Sequence, residues 1–295
     1  MDLTNREEVE QGQRRAAWRR SVGRSALYIC ALMFSLVSAG PFLWGLITAF
    51  KADRDLYNPD LNPFLFNFPP TLEHVRFLLL DTEFGTFALN TLIVGLLVVA
   101  ITLMFSLPAA YSLARLRLRW SGALGIAIFC FCLVPPSLLF IPLSRVVAAL
   151  GLQDSTWALV LFYPTITIPV SVWLLIGFTK SIPREIEEQA MIDGYSRVGA
   201  FARTALPLAL PGIVAVAVFA FTLSTHEFVY ALAFVATSSE KTVSVGIPTE
   251  LIRGDVFFWQ SLQAATVLVA VPIALVFNVF LGRFITGLEI GAVKR

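Results

Sequence analysis

Long stretches of this chain carry no charged side chain, and their lengths set the first expectation. Six such runs lie between successive charged residues: Ser25–Phe50, Phe84–Ala114, Trp120–Ser144, Ser155–Thr179, Thr204–His226 and Val256–Gly282, none shorter than 23 residues. A helix needs about 20 mostly apolar residues to cross the hydrocarbon core of a bilayer, and a charge near its centre costs several kcal/mol. One such run fits a buried soluble helix, but six leave too little polar surface to cover a soluble particle. The pattern predicts an all-α polytopic membrane protein with six transmembrane helices. The first run is too long for the apolar part of a signal peptide and no clear small-residue cleavage site follows it, so it is expected to stay as an anchor.

The polar segments divide the rest. Residues 1–24, with "QGQRRAAWRRSVGR", form a basic tail, and residues 25–295 are assigned to the membrane domain. Between Lys51 and Glu83, "NPDLNPFLFNFPPTLEHVRFLL" predicts turns followed by a short amphipathic helix, a region able to brace a partner. Ala236–Asp255 is too polar to span and rich in β-branched residues, and is expected to be an ordered loop. Prolines at 108, 135, 136, 142, 164, 169, 211 and 272 predict kinked spans.

The segment 181–207 interrupts the apolar pattern with "SIPREIEEQAMIDGYSRVGAFARTALP". Ser181 can cap a helix, Pro183 suits its first turn, and Glu185, Glu187 and Glu188 place negative charge at the positive end of its dipole. Gly194 supplies the residue most tolerant of the left-handed geometry that ends a helix. Ser196 can cap a second helix with Val198, Phe201, Ala202 and Ala205 on one apolar face. A helix bound for anionic lipid should be basic, whereas the first of these is acidic, so a protein surface is its natural partner.

Composition supports the membrane reading. Hydrophobic residues make up 57% of the chain and charged ones 14%, against roughly 25% charged in soluble domains. The net charge is +2, but the distribution says more. With both termini in the cytoplasm, six of the 22 basic residues fall outside, Lys51, Arg54, Arg76, Arg145, Lys241 and Arg253, and the other sixteen inside. Basic residues are retained on the cytoplasmic side, so 181–207 is expected to face the cytoplasm. Cys30, Cys130 and Cys132 all fall in predicted spans and suggest neither a disulfide nor a metal site.

Candidate chemistry is sparse. There is no phosphate-cradling glycine loop followed by Lys and Ser or Thr, so ATP hydrolysis is not expected on this chain. The two histidines, His74 and His226, make no HExxH pair, and neither catalytic nor metal-binding residues are assigned. An ion- or proton-coupled secondary transporter or channel subunit is the alternative, but such proteins place paired charges within their spans, and here the spans are almost free of them. The membrane-embedded surface calls for lipid as a partner; no nucleic acid is expected. Near the end of the fifth run, Thr225, His226, Glu227, Phe228 and Tyr230 offer the hydroxyl partners and apolar ring faces a sugar path needs. Adjacent residues point different ways, so at most some face one path, and Glu227 is equally suited to reach water or bond a neighbouring helix.

"EQAMIDG", nine residues and "TALP" together resemble the signature loop of membrane subunits of ATP-binding-cassette importers, with Glu-Ala-Ala, three residues, Gly, nine residues, Ile, one residue and Leu-Pro. The matching positions are Glu188, Gln189, Ala190, Gly194, Thr204, Leu206 and Pro207; Gln189 replaces alanine and Thr204 replaces isoleucine. "AAYSLARLRLRW", "IPLSRVVAALGLQDSTWALVLFY" and "GLEIGAVKR" resemble the carbohydrate branch of that family, the maltose and glycerol-phosphate type. The resemblance implies a bacterial or archaeal cytoplasmic-membrane permease for a sugar, oligosaccharide or polyol compound. It implies that Glu188, Gln189, Ala190, Asp193, Gly194, Leu206 and Pro207 dock on a separate ATPase dimer, which binds the ATP and magnesium. A second homologous permease and an extracytoplasmic solute-binding protein complete the implied assembly. Where this branch commonly has Trp-Asn-Glu/Asp-Phe, the chain reads Thr225, His226, Glu227 and Phe228.

Overall fold

The computed structural model describes residues 3–116 and 119–292, with side chains for residues 23–116 and 119–279. The side chains of Arg6, Arg14, Arg15, Arg19, Arg20 and Arg283, together with Arg117, Lys294 and Arg295, lie outside the described residues, as do all the side chains of "GLEIGAVKR". Two compact units form, one up to Glu73 and one from His74.

In the first unit the helix α1, Leu3–Ala49, runs unbroken from the polar tail into the first apolar run. Beyond it, α2 (Asp53–Leu56) begins a folded loop organised by Asp55. Its carboxylate lies 3.3 Å from the Lys51 ammonium, both side chains fully buried. It also accepts the Asn67 amide N–H at 3.0 Å and the Asn67 side-chain amide at 2.7 Å. The expected turns are present, because Asn58 and Asn62 each accept an N–H from two residues on, the local bond that favours asparagine in turns. Burial pushes the Asp55 carboxyl up, yet the bonds from Asn67, Lys51 and Phe68 together hold it below the ordinary value.

In the second unit, the short amphipathic helix expected before the second run is α3, Glu73–Leu80, with His74 and Leu78 buried. The second run forms α4, Phe84–Arg115. Phe87, Thr91, Val94, Val98, Thr102, Ser106, Ala110 and Ala114 are buried along it; steps of three and four residues place them on one face. That face meets α8 (Pro164–Ser181) and α12 (Leu210–His226). Midway along, the Thr102 and Thr167 hydroxyls hydrogen-bond each other at 2.6 Å. Gly95 is required by close approach, since a Cβ there would lie 2.6 Å from the Phe221 ring on α12. Val94, Val98, Leu159, Tyr163, Tyr230 and Phe234 form one apolar cluster, and Ala110, Val172, Leu175 and Val216 another.

Two predicted spans differ from simple rods. The third, Trp120–Ser144, is two helices, α5 (Ser121–Phe131) and α6 (Pro136–Ala149), set 91° apart. Pro135 takes an extended conformation with ψ 134°, the geometry imposed on a residue before proline. At 1.5 Å per residue α5 alone is about 16 Å long, short of the roughly 30 Å hydrocarbon core. The fifth, Thr204–His226, contains a 74° bend between Leu208 and Leu210, where Pro207 and Pro211 each lack a helix N–H donor. The fourth forms α7 (Thr156–Phe162) and α8 as one span, and the sixth begins at Trp259 as α15, Trp259–Ala292. Among the described residues, four helices are long and apolar enough to cross a membrane, and up to six spans result when each bent pair counts as one.

The region 236–255, expected as a loop, is partly helical. After a short helix α13 (Val229–Phe234) and a 3₁₀ turn at Ser238–Glu240, α14 occupies Val243–Leu251. Val243, Val245, Ile247 and Leu251 are buried there, so tertiary burial outweighs the preference of β-branched residues for strands. A ribbon of β1 (Ile252–Arg253) and β2 (Val256–Phe257) follows.

Candidate functional site

The segment between α8 and α12 is the helix, turn and helix expected from its sequence, with different details at three points. The first helix, α9, is Arg184–Ile192. Pro183 precedes it in extended geometry, and Ser181 belongs to α8, donating its hydroxyl to the Phe178 carbonyl rather than capping α9. Burial of α9 selects Glu187 and Ala190, leaving Glu188 and Gln189 exposed.

Gly194 ends α9 with φ +92°. Its N–H donates to Met191 at 3.2 Å and the Tyr195 N–H to Ala190 at 3.1 Å, the paired bonds of a Schellman motif. Asp193 and Gly194 are exposed at the turn. So are Ile192, at 84%, and Val198, at 76%. Arg203 lies 4.7 Å over the Tyr195 ring, closing the turn from the far side.

Ser196 caps the second helix as expected, its hydroxyl accepting the Gly199 N–H at 3.1 Å. That helix, α10 (Arg197–Ala200), continues through a π turn at Phe201–Ala205 into α11 (Leu206–Leu208). The Leu206 N–H donates to Phe201, a five-residue step in place of four. The step brings Ala200 and Ala205 to the buried side and leaves Val198 and Ala202 outside, correcting the expected face of Val198, Phe201, Ala202 and Ala205. Leu206 is half-buried and Pro207 exposed.

Beyond the dipole role its position suggests, Glu187 makes a tertiary contact. Its carboxylate forms an ion pair with the Arg115 guanidinium, 2.7 Å from Nε, and accepts the Tyr111 hydroxyl at 2.8 Å, both from the last turns of α4. Arg115 also donates to the Ile182 carbonyl at 2.7 Å. The linear signal was one arginine ending an apolar run, which reads as a topology marker; nothing local announces a partner so far along the chain.

At the opposite end of the bundle, the residues of "THEF" part company. Thr225 is buried and donates to the Phe221 carbonyl, and Tyr230 is buried within 5.3 Å of the Phe234 ring. The Glu227 carboxylate accepts the N–H groups of Val229, Tyr230 and Ala231 at 2.9–3.2 Å, capping α13. His226 and Phe228 are exposed. Two of the five candidates therefore present open side chains.

The same end carries a carboxylate staple. Asp154, at φ +59°, accepts the N–H groups of Ala236 and Thr237 at 2.7 Å and the Thr237 hydroxyl. The hydroxyl and then the two amides hold its carboxyl below the usual carboxylate value. Glu240 accepts from the Thr156 N–H and hydroxyl, at 2.8 and 3.0 Å. Among the described residues, no three of His, Cys, Asp and Glu gather into a set able to hold a metal ion.

Comparison with known proteins covers nearly the whole chain. Residues 106–289 match the family described as binding-protein-dependent transport system inner membrane component. The chain is 34% identical to the sulfoquinovosyl glycerol transport system permease protein of Agrobacterium fabrum, over 92% of this chain and 94% of that one. It is 29% identical to the trehalose/maltose transport system permease protein of Thermococcus litoralis, over 92% and 97% respectively. In fold it is similar to a chain in the crystal structure of a bacterial ABC transporter involved in the import of the acidic polysaccharide alginate. That likeness has a TM-score of 0.75 at 18% identity and covers 90% of this chain and 97% of the other.

Proposed function

The chain belongs to the family of binding-protein-dependent transport system inner membrane components, and we propose that it is the permease subunit of an ATP-driven importer for a sugar or a sugar-like polyol. It is a multi-pass inner-membrane transport subunit, not an enzyme, and works in a complex with a separate ATPase and a solute-binding protein. The observation that carries the sugar reading is the alignment, over more than nine-tenths of the chain, with permeases named for trehalose/maltose and sulfoquinovosyl glycerol transport.

Within that function, the α9–α10 turn is the docking element for the ATPase. Glu188, Gln189, Asp193 and Gly194 lie exposed beside Ile192 and Val198, and apolar side chains so open at a turn suit a partner's groove. Ala190 is buried beneath and sets the helix on the core; Leu206 and Pro207 connect the turn to the jointed α12. The side bearing α9 faces the cytoplasm with both termini, in line with the sixteen basic residues assigned there. ATP and magnesium are held by the ATPase dimer, and a second homologous permease completes the path. His226 and Phe228 are the open candidates for contact with the sugar on this chain.

Reconstitution in liposomes with its ATPase, binding protein and second permease tests this reading. Uptake of radiolabelled trehalose, maltose and sulfoquinovosyl glycerol is measured with ATP inside and with imposed sodium or proton gradients. Uptake of at least one that requires both ATP and the binding protein is expected. Uptake driven by an ion gradient without the ATPase would instead establish a secondary transporter.

A further inference from the structure

We infer that Glu187, Arg115 and Tyr111 form a strut that makes the coupling segment and the inner end of α4 move as one body, while the Leu208–Leu210 joint lets α12 turn against them. The inference rests on the coupling reading of α9 and deepens it by naming the residues through which movement enters the bundle.

Both carboxylate oxygens of Glu187 are engaged by α4. One faces the Arg115 Nε at 2.7 Å, and the other accepts the Tyr111 hydroxyl at 2.8 Å. Tyr111 and Arg115 are four residues apart and so share one face of the helix. The Arg115 guanidinium also reaches the Ile182 carbonyl in the α8–α9 linker, and Arg184 at the start of α9 returns a bond to the Ala114 carbonyl at 3.2 Å. The second half of the segment is gathered in too, because the Tyr111 ring lies 4.3 Å from the Phe201 ring in the π turn.

Burial separates this cluster from ordinary surface ion pairs. The Arg115 and Glu187 side chains are 6% and 8% exposed, whereas Glu185 and Glu188 on the same helix are open. A buried ion pair adds little net stability over well-packed apolar residues, but losing one partner strands the other charge, so the close Arg115–Glu187 contact keeps α9 set against α4. A cleft of about 340 Å³ lies against the cluster, lined by Arg184, Met191 and Arg197 among others. Polar bonds rather than continuous apolar contact therefore secure this part of α9 to α4. On the other flank no side-chain bond of this kind is present among the described residues; α11 passes into α12 at the 74° bend, bridged only by backbone bonds such as Ala209 N–H to Ala205 at 2.8 Å. A push on the Gly194 turn is thus conveyed to α4 through a fixed link and to α12 through a joint.

Glu187, Arg115 and Tyr111 are positioning residues, so the test must read coupling as well as assembly. In the reconstituted complex, Glu187→Gln keeps the shape and removes the charge. It is expected to retain the ATPase on co-purification, to lower sugar uptake at least tenfold and to raise ATP hydrolysed per sugar at least fivefold. A second arm adds a covalent link: Ala114→Cys with Arg184→Cys, in a chain freed of Cys30, Cys130 and Cys132, bridged by a short bifunctional thiol reagent. If α9 and α4 move together, bridged and unbridged protein transport within twofold of each other. Abolition of uptake by the bridge, or a wild-type ratio of ATP to sugar in Glu187→Gln, would overturn the strut. Failure of the underlying reading looks different: Gly194→Val would then leave ATPase retention and uptake unchanged, whatever Glu187→Gln does.

Discussion

The Tyr195 N–H closes back on the Ala190 carbonyl at 3.1 Å, and only the positive φ of Gly194 between them makes that closure possible. Two exposed acidic positions, Glu188 and Asp193, and two exposed apolar ones, Ile192 and Val198, are thereby set around one tight turn. A partner meets a fixed shape rather than a flexible loop.

Gly194→Val is expected to break that shape for backbone reasons alone. A Cβ at Gly194 would meet nothing within 4 Å, so the cost comes from φ +92°, where a β-branched residue is an outlier and loses more than about 1 kcal/mol. The protein should insert in the membrane but lose the ATPase on co-purification, with uptake falling at least tenfold. Gly194→Asn, which tolerates left-handed backbone, should retain most of both.

Much of this turn was legible in advance. Gly194 and Ser196 are punctuation that acts within a few residues, and the structure places both in the roles their chemistry suggests. Ser181 looked as good a cap as Ser196, yet α8 runs through it, because helix continuation depends on what lies on either side. The Val198 face differs from the expected one because the five-residue step at Phe201–Ala205 departs from a 3.6-residue period. The Arg115–Glu187 pair was out of reach altogether, being a tertiary fact. The same holds for α14, whose β-branched residues are helical because Val243 and Val245 have a core to enter. The outer path is legible only in part: adjacent residues in "THEF" point different ways, so at most some can face one path, but which of them stay open depends on the helix ending at His226.

Glu227 is expected to act first as a cap. Glu227→Ala removes the acceptor of three N–H groups at the start of α13 and should cost about 0.5–2 kcal/mol, the range for lost caps. Glu227→Gln keeps one acceptor oxygen and should lose less, with Phe228→Leu milder still. Thermal unfolding of the detergent-purified complex, followed beside uptake, separates the possibilities. Uptake that falls with no change in unfolding temperature would give Glu227 a direct part in the sugar path.

The Asp154 staple predicts a pH response with a definite sign. Its carboxyl is held below the usual 3.8 in the folded protein, so the stabilisation is fully present above that value and is lost as pH falls through the lower, folded one. Asp154→Asn keeps a residue suited to φ +59°, removes the charge and leaves one acceptor oxygen in place of two. Amide exchange at Ala236 and Thr237 should be faster in the variant than in wild type at pH 7, and the two should converge at pH values below 3.8. A difference that persists unchanged in strong acid would refute the charged staple.

Orientation is open to a simple labelling test. Ser196 and Ser238 are both exposed, on opposite ends of the bundle. Single cysteines at these positions, in a version lacking the native three, should differ toward a membrane-impermeant thiol reagent added to intact cells. Ser238→Cys should react and Ser196→Cys should not; equal labelling would remove the proposed topology.

The docking of a separate ATPase on the α9 turn is measured most directly by site-specific photocrosslinking. A photoreactive amino acid placed at the exposed Gln189, in the complex assembled in membranes, should yield a covalent product containing the ATPase, and the same group at exposed Leu232 should not. Crosslinks from Gln189 that reach only lipid or this chain, in a preparation that still transports sugar with ATP, would contradict the proposed docking.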